Sequence, residues 1–152
     1  GVIVLALAKT GIGIWHIQHG IQQMGAVHAQ QTLSWQKVHT QQELAQLLQQ
    51  NSGRSIVIDV YADWCVACQP IEHRVLKSAQ VQQALAPYFL IKLDLSHYDV
   101  THQALLNQWE ILGPPTYLFL NDQQQEIRGL RLTGAFTEAE LLEQIERFVQ
   151  AQ

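Results

Sequence analysis

Short apolar runs alternate with stretches of helical periodicity along most of this chain. Leu33 to Val38 alternates apolar and polar side chains, the period of a half-buried strand. Thr40-Gln41-Gln42-Glu43 has the spacing of a capping box, in which side chain and backbone at a helix start satisfy each other's donors. It opens a predicted helix with Leu44, Leu47 and Leu48 on one face, ended by Asn51-Ser52-Gly53. Ser55 to Tyr61 is almost free of polar residues, as in a strand covered on both faces. A helix is predicted from Cys65 to about Lys77. Pro70 has no N–H to give it and should bend it near its first turns. Ser78 is the expected cap of a short helix through Val81 and Leu85, and Tyr88 to Leu95 is the next strand. Thr101 is the expected cap of a helix through Leu105, Leu106 and Trp109. Gly113-Pro114-Pro115 breaks the chain before a strand at Thr116 to Leu120. Asn121-Asp122 turns that strand, and Glu126 to Thr133 is predicted to return beside it, antiparallel. A second capping box, Thr137-Glu138-Ala139-Glu140, opens a last helix. It carries Leu141, Leu142, Ile145, Phe148 and Val149 at the 3.6-residue period.

The predicted order is β-α-β-α-α-β-α-β-β-α. Strands joined through helices imply parallel neighbours and right-handed crossovers, and the closing β-β-α adds an antiparallel edge. The class is therefore α/β, a central mixed β-sheet flanked by helices on both faces.

The first residues do not fit this scheme. Gly1 to Ala8 is continuously apolar, followed by Lys9-Thr10 and then Gly11 to Ile17. Eight apolar residues cannot cross a bilayer, which needs about 20. Three readings stand: the end of a spanning helix whose beginning is absent, with Trp15 at the membrane–water boundary; the remnant of a signal peptide; or a cloning remnant or surface helix. The expected division is an N-terminal extension over residues 1–31 and a single globular domain over 32–152. Hydrophobic residues make up 47% of the 152 residues, charged residues only 14%, and the net charge is −4. With no basic run, no nucleic-acid partner is expected.

The two cysteines are the only ones in the chain. They lie three residues apart, Cys65 and Cys68, where an apolar strand ends and a helix is predicted to begin. Two cysteines are too few for a disulfide framework. They suit dithiol–disulfide exchange. The first sulfur sits near orphan N–H groups that favour its thiolate, and the second is one turn away, within bonding reach. Cys65 is the candidate nucleophile and the more exposed sulfur, and Cys68 the resolving thiol. A structural bridge and half of a zinc site are the alternatives. Zinc is disfavoured because a structural site takes four ligands and no second cysteine pair exists; no metal is expected. Asp59 is a lone acid on the apolar strand, facing away from Ile58 and Val60, so burial should raise its pKa. Glu72 lies one turn past Cys68 and can face the same region. His73, His97 and His102 read as surface residues.

Trp64-Cys65-Val66-Ala67-Cys68 after a buried strand, with Gly113-Pro114-Pro115-Thr116 before the next hairpin, resembles the thioredoxin family. The likeness runs from about Leu33 to the C-terminus. More narrowly, the run from Asp59 to Cys68 resembles the C-terminal periplasmic domain of DsbD-type thiol:disulfide interchange proteins. Glu72 and Leu132-Thr133-Gly134 fit as well. The resemblance implies a thioredoxin fold and protein-disulfide reductase activity. Asp59 and Glu72 would handle protons beneath the cysteine pair. A cis peptide bond is implied at Pro115, giving a docking edge made of Trp64, Pro114, Pro115 and Thr116. Because Pro114 has no N–H, that edge would offer a partner strand an acceptor without the usual donor. Trp64 would shield the disulfide.

The implied setting is the periplasmic side of a bacterial inner membrane. Electrons would come from a membrane-embedded domain of the same protein, originating in NADPH through thioredoxin. They would pass to the N-terminal periplasmic domain, and then to periplasmic thiol–disulfide proteins and cytochrome c maturation factors. No bound cofactor is implied beyond the cysteine pair, and the domain would be monomeric. Two alternatives remain open: an anchored or soluble reductase for cytochrome c maturation, and a binding module whose disulfide is structural.

Overall fold

The computed structural model of the chain describes residues 33–152. The extension predicted over 1–31, with its three readings, lies outside the described residues. Five strands form one mixed sheet: β1 (Trp35–Val38), β2 (Ile56–Tyr61), β3 (Phe89–Asp94), β4 (Thr116–Leu120) and β5 (Leu132–Thr133), in the order β1-β3-β2-β4-β5. β3 runs parallel to both β1 and β2, and β4 runs antiparallel to β2 and β5.

Helices cover both faces. On one side α1 (Gln41–Gln50) and α4 (Val100–Trp109) lay Leu44, Leu105 and Leu106 against Ile56, Ile58, Val60, Ile91 and Leu93. On the other, α2 (Cys68–His73), α3 (Ala79–Leu85) and α5 (Glu138–Gln150) pack Ile71, Val81, Leu85, Leu141, Ile145 and Phe148 on Val57, Leu90, Tyr117 and Phe119. Each fully buried side chain of this kind contributes roughly 1.5–3 kcal/mol. Both capping boxes form: Thr40 with Glu43 on α1, and Thr137 with Glu140 on α5.

Four expectations need correction. The helix predicted from Cys65 to Lys77 begins at Cys68 and ends at His73, followed by a 3-10 turn at Val75–Lys77. Pro70 therefore sits in the first turn, where an N–H has no intrahelical acceptor, and it has nothing to break. α4 is capped by Asp99, whose carboxylate accepts from the Thr101 and His102 N–H groups, and not by Thr101. His102 is buried rather than on the surface. Its Nε2 bonds the His39 carbonyl at 2.7 Å, and its Nδ1 accepts from the Asp99 N–H. The long return strand is reduced to Leu132–Thr133, because the chain makes a 3-10 turn at Arg128–Leu130 that drives Leu130 into the core. Before that turn, only an isolated bridge from Leu120 to Glu126 remains.

Candidate active site

The register sets which loops meet. Val60 pairs with Thr116, so β2 ends where β4 begins. β3 runs parallel to β2 and ends beside it, Tyr61 pairing with Asp94. Three connections therefore emerge at one end of the sheet: Ala62 to Cys68, Leu95 to Asp99, and Ile111 to Pro115.

Cys65 and Cys68 are joined by a disulfide, with their Cα atoms 5.3 Å apart. The Cys68 N–H donates to Cys65 Sγ at 3.2 Å. That bond persists for a thiolate and would stabilise it, because the donor stands at the start of α2 with no carbonyl of its own helix to bond. Cys65 keeps 6% of its surface exposed and Cys68 1%. Both cysteines are buried, Cys65 the less so. The flanking Val66 is 85% exposed and carries no charge.

Asp59 is buried on the sheet face shared with Val57 and Leu90, opposite Ile58 and Val60. Its Oδ2 has no hydrogen-bond partner, and the same holds for the hydroxyl of Tyr117, its cross-strand neighbour. Lys92 Nζ stands 3.8 Å from Asp59 Oδ2 and bonds Glu72 Oε1 directly. Burial pushes the Asp59 carboxyl well above the ordinary aspartate range. Glu72 adds to the rise, and Lys92 opposes it. Burial, with Asp59 next, likewise raises the Tyr117 hydroxyl. The two predicted acids thus share one cation, and Glu72, one turn past Cys68, carries the group toward solvent. No hydrogen bond joins either acid to a sulfur among the described residues.

Trp64 is 53% exposed, so about half of its surface is open to solvent. Its indole N–H donates to the Ser96 carbonyl at 3.1 Å, and the Asp63 N–H donates to Ser96 Oγ at 2.8 Å. Ser96 in turn gives its own N–H and hydroxyl to Asp94. The Pro114–Pro115 bond is cis. Thr116 Oγ1 donates to the Gly113 carbonyl at 2.6 Å, and the Gly134 N–H to the Pro115 carbonyl at 2.9 Å. The Pro114 carbonyl has no backbone partner among the described residues.

Sequence reasoning missed Lys92 and Ser96. A lone lysine inside the apolar run Phe89 to Leu95 is the same signal that exposed Asp59, and only the register Asp59 to Lys92 gives it meaning. Ser96 carries no such signal. No group of three or more His, Cys, Asp or Glu among the described residues is arranged to hold a metal ion.

Residues 36–147 match the Thioredoxin family model. The thiol:disulfide interchange protein DsbD of Escherichia coli (strain K12) is 40% identical over 119 residues, which is 76% of this chain and 21% of that protein. The protein of the same name from Yersinia pestis (strain Pestoides F) is 33% identical over 132 residues, 87% of this chain and 22% of that protein. The chain therefore spans about a fifth of the length of these curated relatives. Among solved structures, the oxidised C-terminal domain of Neisseria meningitidis DsbD superposes with a TM-score of 0.59 at 22% identity, covering 72% of this chain and 97% of that one. A thioredoxin from Thermus thermophilus gives a TM-score of 0.59 at 23% identity, covering 77% and 88%. At these identities the superpositions speak for the fold. With the family match running through both the cysteine turn and the cis-proline loop, the chain belongs to the thioredoxin family.

Proposed function

We propose that this chain is a protein-disulfide reductase domain of the DsbD type, passing two electrons at a time by dithiol–disulfide exchange. The observation that carries the reading is the Cys65–Cys68 bridge, with the Cys68 N–H directed at the more exposed sulfur. The 40% identity to a thiol:disulfide interchange protein supports it.

The cycle starts with the pair reduced. Cys65 thiolate attacks one sulfur of a partner disulfide; that S–S bond breaks, and the partner's other sulfur leaves as a thiolate. Cys68 loses its proton and attacks Cys65 Sγ. The intramolecular disulfide forms, and the mixed disulfide breaks as the partner's second thiolate leaves. Asp59 receives the Cys68 proton and Glu72 relays it outward, consistent with a buried carboxyl whose proton affinity is raised. A donor dithiol restores the reduced state by the reverse sequence. The partner strand docks on Trp64, Pro114, Pro115 and Thr116, and it finds the free Pro114 carbonyl as acceptor.

The donor in this reading is a membrane-embedded domain of the same protein, and the acceptor is its N-terminal periplasmic domain. The chain works on the periplasmic face of a bacterial inner membrane, with electrons originating in NADPH through thioredoxin. No helix among the described residues is long and apolar enough to cross a membrane.

Trapping tests the reading. Cys68→Ala removes the resolving thiol, so a partner captured by Cys65 stays attached. The expected product is a covalent adduct that dithiothreitol releases and that is absent in Cys65→Ala. If Cys68→Ala forms no adduct with disulfide-bearing periplasmic proteins, the exchange reading fails and the bridge is structural.

A further inference from the structure

The loop from Ile111 to Pro115 is packed only at its two ends. Ile111 and Pro115 are buried, but Leu112 between them is 91% exposed, so burial fixes the ends of this segment and not its middle. Backbone anchors at the same two ends add to that packing. At the exit, Gly134 and Thr116 hold Pro115 and Gly113. At the entrance stands Arg131, which precedes β5.

Its guanidinium binds Glu126 through two parallel bonds, Nε to Oε2 at 2.7 Å and Nη2 to Oε1 at 2.6 Å. The remaining donors reach the last carbonyls of α4. Nη1 donates to the Glu110 carbonyl at 2.7 Å and Nη2 to the Trp109 carbonyl at 3.0 Å. Those carbonyls have no acceptor role left inside the helix, and a cation is favoured there by the helix dipole. Glu110 itself adopts a left-handed conformation, with φ 58°, which a residue with a Cβ takes up rarely. The carbonyl that turns the chain into the loop is therefore one that Arg131 grips. Arg131 and Glu126 are only 10% and 12% exposed at their side chains, so solvent screens this pair weakly. The Arg128–Glu110 pair beside it is more than half exposed on both partners and adds little.

We infer that Arg131 is a positioning residue for partner binding: by joining the end of α4 to β5, it fixes the loop on which a disulfide-bearing strand docks. The inference rests on the exchange reading above. Only a planar fork can serve Glu126 and two carbonyls together, so lysine is not an equivalent.

The test compares Arg131→Lys and Arg131→Met with the parent chain in dithiothreitol-driven reduction of insulin disulfides. For both variants KM should rise, about tenfold for Arg131→Met and less for Arg131→Lys, while kcat stays within about twofold. That split separates positioning from folding. A smaller folded fraction lowers the apparent kcat and leaves KM alone, whereas a displaced docking loop weakens binding before and through the chemical step. Loss confined to kcat in both variants, or no change in either, overturns the inference while leaving the exchange reading intact. A parent chain that reduces no insulin overturns both.

Discussion

Two aspartates on the same face of the sheet, on adjacent strands and two rungs apart, are pushed in opposite directions. Asp59 lies in mid-sheet, with Lys92 beside it in register. Asp94 ends β3, with Tyr61 beside it. Both are buried. Burial raises the Asp59 carboxyl well above its ordinary range, the Glu72 carboxylate adds to the rise, and Lys92, shared with Glu72, offsets only part of it. Burial also acts on Asp94. It is outweighed there by the Ser96 hydroxyl and N–H, aided by Lys37 and His39, so this carboxyl falls below its ordinary range. Depth alone does not decide the charge; the donors and charges that face each carboxyl do. One acid is left favouring its proton, and the other favours its charge and orders the loop that holds Trp64.

The strongest way to break this contrast is to remove the cation between the acids. Lys92→Met keeps the stem that lies under the Tyr61 ring, where Nζ is 4.7 Å from the ring centre, and removes the charge. Glu72 then loses its direct partner and Asp59 its only opposing cation. A loss of about 3 kcal/mol is expected from urea unfolding at pH 7, the scale for stripping one partner from a buried pair. A loss below about 1 kcal/mol would mean the acids do not depend on the lysine.

The half of this site that lies on single elements was legible in the sequence. A charge in an apolar strand marked Asp59, and the cysteine spacing and the double proline stood in plain view. Helix starts were legible where a capping box repeated its own spacing. Where two cap residues competed, Asp99 and Thr101, the pattern slipped by two positions. What stayed hidden needs pairing between distant segments. Lys92 matters through its register with Asp59. Arg131 reaches back 21 and 22 residues to Glu110 and Trp109. His102 is buried because its ring reaches the carbonyl of His39, 63 residues earlier. A hydrophobic period carries none of this information.

Replacing each aspartate in turn should move stability with opposite pH dependence. For Asp59 the folded pKa lies above the unfolded one. The group's relative stabilisation is therefore complete below the unfolded value, near 4, and is lost as the pH rises toward the folded value. Asp59→Asn removes that loss. Relative to the parent, the variant should gain about 1 kcal/mol or more between pH 4 and pH 8, since one unit of displacement is worth about 1.4 kcal/mol. It should also slow the Cys68 step roughly a hundredfold, the lower end of the range for removing a general base. A stability gap that stays flat with pH would place Asp59 among ordinary buried polar groups. For Asp94 the folded pKa is depressed, so its contribution is present above the unfolded value and lost as the pH falls through the folded one. Asp94→Asn should cost about 1 kcal/mol at pH 7, modest because a partly solvated site is screened. That deficit should disappear below the usual aspartate range, and chemical denaturation at pH 3 and pH 7 reads the difference.

The finest test leaves both acids in place and changes only a donor. Ser96→Ala keeps the backbone N–H on Asp94 and the carbonyl that holds the Trp64 indole. It removes the hydroxyl that donates to Asp94 and accepts from the Asp63 N–H. The Asp63 N–H is close enough to solvent to find water, so the stability loss should be small, about 0.5–1 kcal/mol. The informative readout is the carboxyl carbon shift of Asp94 followed by NMR through an acid titration. Its midpoint should move upward, toward the behaviour of Asp59, while the Asp59 signal stays where it was. An unmoved midpoint would assign Asp94's charge to the retained Ser96 N–H, with Lys37 and His39 at the edge of the sheet. The contrast between the two acids would then not depend on the hydroxyl at all.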